Sequence, residues 1–275
     1  MLNSSLLHWF LSTPPAWLVA CVIGLVPIEL WAGVRRGRRP DPIETRTSIT
    51  IGAVYFAVKI VAGHLVFFSL ARVVAQRWGV FNWSSAPWAW VGTYLLGDFV
   101  YYWVHRAEHR VRLLWASHQV HHSSTDFNFA AAVRMPWTEV WFTPLTGLWA
   151  PLLGVPPLVA ATLGIVGLMW GLVSHTSLVS SMGVFDLVLV TPTNHRVHHA
   201  SNPGYLDCNF GGGLIVWDRL FGTYVPETEA PTFGLTQDSP SRGPLAIGVG
   251  GHPDLWRDLM AAAPSDRLAV ALGRP

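Results

Sequence analysis

Histidines fall in three tight groups along this chain: His105-Arg-Ala-Glu-His109, His118-Gln-Val-His121-His122 and His195-Arg-Val-His198-His199. On an α-helix, residues three and four apart share one face. Each group is therefore able to turn two or three imidazoles toward a single point, which a metal ion demands and an apolar core does not. With 12 His in 275 residues, composition alone yields an HxxHH roughly 0.02 times in the chain, so two copies are not accidental. Neutral imidazole is the commonest side-chain ligand for Fe, Zn, Cu and Ni. Eight such nitrogens exceed what one ion accepts, and two ions, each keeping a position open for a small molecule, are expected. His175, in Ser174-His175-Thr176, is counted as a ninth ligand. His8, His64 and His252 have no histidine neighbours and receive no role.

Around these ligands, Asp98, Tyr101 or Tyr102, His105 and His109 recur at helical spacing. Asp98 is expected to accept from the free ring N–H of a metal-bound histidine, the usual device for fixing tautomer and orientation. Tyr102 and Asn209 are assigned supporting positions behind the ligands. Asp207 and Asn209 suit either hydrogen bonds to the site or a turn beside Gly211 to Gly213.

The elements that must position these groups look membrane-embedded by composition. Hydrophobic residues make up 51% of the chain and charged residues 12%, against about a quarter charged in an ordinary soluble domain. Between Glu139 and Asp186 there is no Asp, Glu, Lys or Arg, and roughly 20 apolar residues suffice to cross a bilayer. Spans are expected at Ala16 to Val34, Ile49 to Ala71, Pro87 to Val104, 139 to 153 and 157 to 174, with Pro151, Pro156 and Pro157 turning the last pair. The fold class expected is an all-α integral membrane protein, with four to five transmembrane helices capped by a cytoplasmic helical His-rich metal domain. Arg35, Arg36, Arg38 and Arg39 follow the first span with no Lys or Arg before it, which puts residue 35 in the cytoplasm. Five crossings then deliver all three histidine groups and His175 to that same face. The N-terminus lacks a basic n-region and a small-residue cleavage site and reads as a retained anchor. Lys59 and Glu29 lie inside apolar spans, where snorkelling or pairing suits them.

One membrane domain, 1–275, is expected, with an anchor and basic loop at 1–44, a core at 45–236 and a Pro/Gly-rich tail at 237–275. Asp254 to Ala263 reads as a short surface helix without catalytic duty. Cys21 and Cys208 form neither a disulfide framework nor a CxxC zinc signature. A net charge of +2 argues against nucleic acid, and no glycine loop in a strand-to-helix context supplies a nucleotide site. The histidines by themselves also admit a zinc-dependent membrane hydrolase, weakened by the lack of an HExxH glutamate, and non-enzymatic metal or haem handling.

With HRAEH, HQVHHSS and TPTNHRVHH in view, the chain resembles the fatty acid hydroxylase and sterol desaturase superfamily of integral-membrane di-iron oxidases. DFVYYWVHRAEH (98–109), WASHQVHHSSTDFN (115–128) and the stretch 191–224 with LDCNFGGGLIVWDRLFGTY all look like that superfamily's blocks. The wording is most like the alkylglycerol monooxygenase and sterol-desaturase-like branch, and the likeness covers about 45–236. It implies a His-bound pair of iron ions using O2 to hydroxylate or desaturate a C–H bond of a membrane lipid, sterol or ether lipid. The implied ligands are His105, His109, His118, His121, His122, His195, His198 and His199, with His175 in addition. Where fatty acid hydroxylases tend to carry a further His after an Arg, this chain reads Arg134-Met-Pro136-Trp-Thr-Glu139. No cytochrome domain is fused, so electrons come from a separate protein or a reduced small molecule. Trp217, Phe221 and Tyr224 at i, i+4 and i+7 suit a lipid-facing wall. The Ala/Gly/Pro-rich, Arg-over-Lys composition suggests a bacterial inner membrane, with the metal site on its cytoplasmic face.

Overall fold

A computed structural model describes residues 14–62, 69–80, 86–142, 147–237 and 243–275. The described residues are helical and contain no strand, only two isolated bridges, Leu189 to Leu214 and Ala200 to Phe233. The helices are α1 (Pro14–Arg35), α2 (Pro42–Ala62), α3 (Ser69–Trp78), α4 (Pro87–Arg110), α5 (Arg112–His122), α6 (Phe129–Ala132), α7 (Trp149–Leu152), α8 (Pro157–Ser174), α9 (Pro192–His199), α10 (Val216–Leu220), α11 (Pro244–Gly248), α12 (His252–Ala261) and α13 (Arg267–Leu272). Proline in the first turn opens α4, α8, α9, α11 and α12, where its missing N–H is no loss. Val111, in extended conformation, separates α4 from α5. That break lets the two helices pack against each other and brings His105 and His109 over His118 and His122.

The expected transmembrane architecture is overturned: among the described residues no helix is long and apolar enough to cross a membrane. The reasons are local. In α1, Glu29 is buried and fastened, accepting from Thr176 Oγ1 and from the Phe129 N–H (2.5 Å). In α2, Glu44 pairs with the buried Arg134 guanidinium (2.9 Å), and Lys59 meets Tyr55 and Glu139. The lower half of α4 is a polar face carrying Asp98, His105 and His109. The uncharged stretch expected to form a fourth span holds a 3-10 turn (Trp137–Trp141) and the four-residue α7 instead. α8 is uncharged and 18 residues long, at the lower end of the length that crosses a bilayer. With no span to count, the parity argument for a cytoplasmic face has no basis. Part of the second expected span, part of the fourth, and His8 and His64 lie outside the described residues.

The tail does more than cover surface. α12 spans His252–Ala261, two residues ahead of the helix expected at 254–263, and the tail braces α5: the Gly251 N–H donates to Ala116 O (2.7 Å), the Arg112 N–H donates to Gly273 O (2.9 Å), and Arg112 pairs with Asp258. α5 carries three of the histidines, so a segment outside the resemblance helps to hold them.

Candidate metal centre

The nine histidines singled out above are brought together, and they divide into two groups. His105, His109, His118, His122 and His198 form one; His121, His175, His195 and His199 form the other. In each group the ligand atoms lie within 4.8 Å of one another, and every ring is buried. The HxxHH motifs do not each converge on one point. From α5, the i, i+4 pair His118 and His122 joins the first group while His121 joins the second; from α9, the pair His195 and His199 joins the second while His198 joins the first. Adjacent histidines point about 100° apart around a helix. Each motif therefore feeds both groups, in opposite proportions, and the rings of His122 and His199 stack at 4.3 Å where the groups meet.

Ring orientation comes largely from the backbone. His105 Nδ1 lies 2.8 Å from Phe210 O, His198 Nδ1 2.9 Å from Cys208 O and His175 Nδ1 2.6 Å from Gly171 O. A carbonyl accepts only, so each Nδ1 carries the hydrogen and each Nε2 an open lone pair. Carboxylates flank two more rings: Glu108 lies 3.4 Å from His118 Nδ1, and Asp207 lies 3.8 Å from His109 Nδ1. Burial lifts the Glu108 carboxyl to about 8, with Glu139 adding to the effect.

The Nε2 atoms fit a cation. His175 Nε2 sits 3.1 Å from the Nε2 of His121, His195 and His199, and His118 Nε2 sits 3.1 Å from His105 Nε2 and 3.2 Å from His122 Nε2. Two lone pairs facing each other at that distance repel. With metal–nitrogen bonds of about 2.1 Å, ligand nitrogens lie roughly 3.0–3.4 Å apart, which is the spacing found here. His109 Nε2 and His198 Nε2 are buried with no hydrogen-bond partner among the described residues. Burial, followed by the neighbouring imidazoles, holds these rings neutral: His105 and His175 are lowered to about 4, and the other seven fall well below the ordinary 6.5. Neutral imidazole is the ligating form.

The supporting residues behave differently from expectation. Among the described residues Asp98 meets no histidine ring nitrogen; it accepts from the N–H groups of Gly213 (2.7 Å) and Leu214 (3.0 Å) and from the indole Nε1–H of Trp217 (2.9 Å). Tyr102 shares a hydrogen bond with Thr223 Oγ1 (2.9 Å) and accepts from Arg106. Asn209 is the turn residue of the two readings, with φ at 53° and its side chain bridging Asn194 and Val225. Together they fix the loop 207–214, whose carbonyls orient His105 and His198. Its glycines are required sterically: a Cβ on Gly212 would lie 2.7 Å from the Tyr101 ring, and one on Gly213 would lie 2.3 Å from the Tyr94 hydroxyl. Trp217 and Phe221, expected to face lipid, pack inward on Phe99 and Tyr102.

Sequence reasoning missed Asp218. Its carboxylate is fully buried and accepts from the N–H groups of Phe210 (2.7 Å) and Gly211 (2.8 Å) and from Thr223 Oγ1 (2.7 Å). Lying five residues after the glycine run on a short helix, it has no motif to reveal it. Asp218→Ala leaves three buried donors without their acceptor and is expected to cost about 2–5 kcal/mol, read as a lowered thermal midpoint.

The sequence model of the fatty acid hydroxylase family matches residues 90–223, the stretch that holds all nine histidines. Alkylglycerol monooxygenase of Xenopus tropicalis is 35% identical over 78% of this chain and 47% of its own length, and that of Homo sapiens 33% identical over 90% and 55%. An ornithine lipid hydroxylase of Rhizobium tropici is 27% identical over 80% of this chain and 68% of its own. The chain spans about half the length of the two alkylglycerol monooxygenases. No solved structure matches it.

Proposed function

Because the chain belongs to the fatty acid hydroxylase and sterol desaturase superfamily, we propose that it is an oxidoreductase that hydroxylates a lipid C–H bond at a paired metal centre. The observation that carries the reading is the pair of adjoining all-histidine groups, five and four Nε2 donors with their lone pairs turned inward. Two iron ions held there would supply the redox chemistry with O2 that inserts oxygen into an unactivated C–H bond. The chain's own residues bind and shape that centre. Carbonyls of Gly171, Cys208 and Phe210 fix tautomers. Trp115, Phe127 and Phe210 lie against the imidazoles and limit water at the site. The exposed apolar side chains of α1, among them Ile23, Ile28, Trp31 and Val34, suit work at a lipid surface. Electrons come from a separate donor. A zinc hydrolase is disfavoured because nine converging histidines in two groups among the described residues exceed the three-ligand set of a catalytic zinc site, and no HExxH glutamate accompanies them.

The deciding experiment supplies 18O2 to cells carrying the chain or its His121→Ala variant and compares their lipids by mass spectrometry. The expected result is a lipid that gains one 18O atom only with the unaltered chain. Equal activity of a zinc-only preparation, or an unlabelled oxygen in the product, would overturn the oxygenase reading.

A further inference from the structure

Among the described residues no membrane span precedes the arginines at 35–39 to explain them, and their side chains have two different fates. Arg35 stacks on Trp31, 5.3 Å from the ring centroid, and Arg36 donates to Leu178 O (2.7 Å). The side chains of Arg38 and Arg39 make no hydrogen bond or ion pair among the described residues, although Arg38 acts through space on the Glu29 carboxyl, and both line one cavity of about 190 Å³. The carboxylates that share the cavity are already engaged: Glu29 on Thr176 and Phe129, and Asp126 on the Asp41 N–H (2.9 Å). Its wall includes Phe127, whose ring stacks on His175 at 5.4 Å and lies 5.4 Å from His199, so the cavity is one aromatic ring away from the four-histidine group. Through Leu30 and Pro40 it adjoins a second, largely apolar groove of about 440 Å³ between α1 and α2, lined by Val34, Pro42 and Ile49.

A small cavity lined by two guanidiniums that make no side-chain hydrogen bond among the described residues, adjoining a larger apolar groove, matches an amphiphile rather than a free ion or a neutral alkane. We propose that this double cavity binds an anionic single-chain lipid, with Arg38 and Arg39 holding a phosphate or carboxylate head group and the α1–α2 groove taking the chain. Guanidinium groups recognise such oxyanions through charge-assisted, often bidentate hydrogen bonds, and burial of each methylene in the groove adds affinity. The site would thus set head-group selectivity. The inference rests on the lipid reading above, but its test requires neither metal nor turnover.

Binding of decyl phosphate below its micelle concentration is compared with that of 1-decylglycerol and of inorganic phosphate, by calorimetry on the full chain. Decyl phosphate is expected to bind about tenfold or more tighter than either. In Arg38→Ala/Arg39→Ala the margin over decylglycerol should fall below about twofold, whereas Arg35→Ala/Arg77→Ala, which removes the same net charge elsewhere, should keep it. Ile49→Trp, filling the groove, should bring decyl phosphate down to the level of inorganic phosphate. The proposal is overturned if the margin survives in Arg38→Ala/Arg39→Ala, if it falls equally in the control pair, or if inorganic phosphate binds as well as decyl phosphate. A chain that binds decyl phosphate as described yet oxidises no lipid would sustain this site and sink only the oxygenase reading.

Discussion

On the proposed di-iron reading, His121→Ala is expected to hold one iron in place of two, and to lose at least about a thousandfold in lipid hydroxylation. The four-histidine group offers His121, His175, His195 and His199 and nothing else among the described residues. Removing one leaves three donors. Four-ligand structural sites bind with roughly 10–16 kcal/mol, so one ligand accounts for about 3–4 kcal/mol, or two to three decades in affinity. His109→Ala, in the five-histidine group, still leaves four imidazoles and should retain its metal more firmly. Dialysis of both variants against the same chelator, followed by metal analysis, separates the two cases. Equal retention of two irons by His121→Ala would show that its ring is no ligand. The expected order, with His121→Ala losing metal first, follows from the unequal donor counts that the two HxxHH motifs create by splitting between groups.

That split marks the limit of what the sequence revealed. Histidine spacing identified eight of the nine rings that the structure gathers, because residues i, i+3 and i+4 on one helix lie close together whatever else the chain does, whereas the lone His175 was added for its place at the end of an expected span. The assignment of rings to groups was not legible, since it depends on where α5 and α9 face each other across the site. Neither were the groups behind the rings. Three imidazoles are oriented by main-chain carbonyls of residues 171, 208 and 210, and a carbonyl carries no residue type. Asp98 reads in the sequence as a carboxylate at the end of a membrane span that needs a partner, and the partners it has are the amides of Gly213 and Leu214 together with Trp217, not a ligand ring. The membrane spans failed for a related reason. A charge-poor composition records how few ions a stretch contains, not where each is fastened, and Glu29, Glu44 and Lys59 all serve as ties between segments. All-helical character survived that error, because apolar content and proline-initiated turns favour helices in either setting.

Acid is expected to unfold the metal-free chain steeply between about pH 6.5 and 5.5. Nine imidazoles are buried and neutral in the fold, with His105 and His175 lowered to about 4 and the rest well below 6.5. In the unfolded chain each takes a proton near 6.5. A group whose folded pKa is depressed below its unfolded value favours the fold only above the unfolded value, so stability falls as pH drops below about 6.5 and levels only near the folded values. Glu29 and Glu108 act in the opposite sense: burial raises them to about 7 and about 8, so the fold binds their protons more readily than the unfolded chain does. Asp98 and Asp218, also raised by burial, add to that opposition. The histidines outnumber the raised carboxyls, Asp126 among them. The unfolded chain therefore binds several more protons than the fold near pH 5.5, each changing stability by about 1.4 kcal/mol per pH unit, against a total domain stability of about 5–15 kcal/mol. Bound metal should move the transition to lower pH, since protons must displace it from the same nitrogens. Thermal midpoints measured at pH 7.5, 6.5 and 5.5, with and without iron, test both statements. A midpoint that stays level across that range without metal would mean that the imidazoles are not held neutral and buried together.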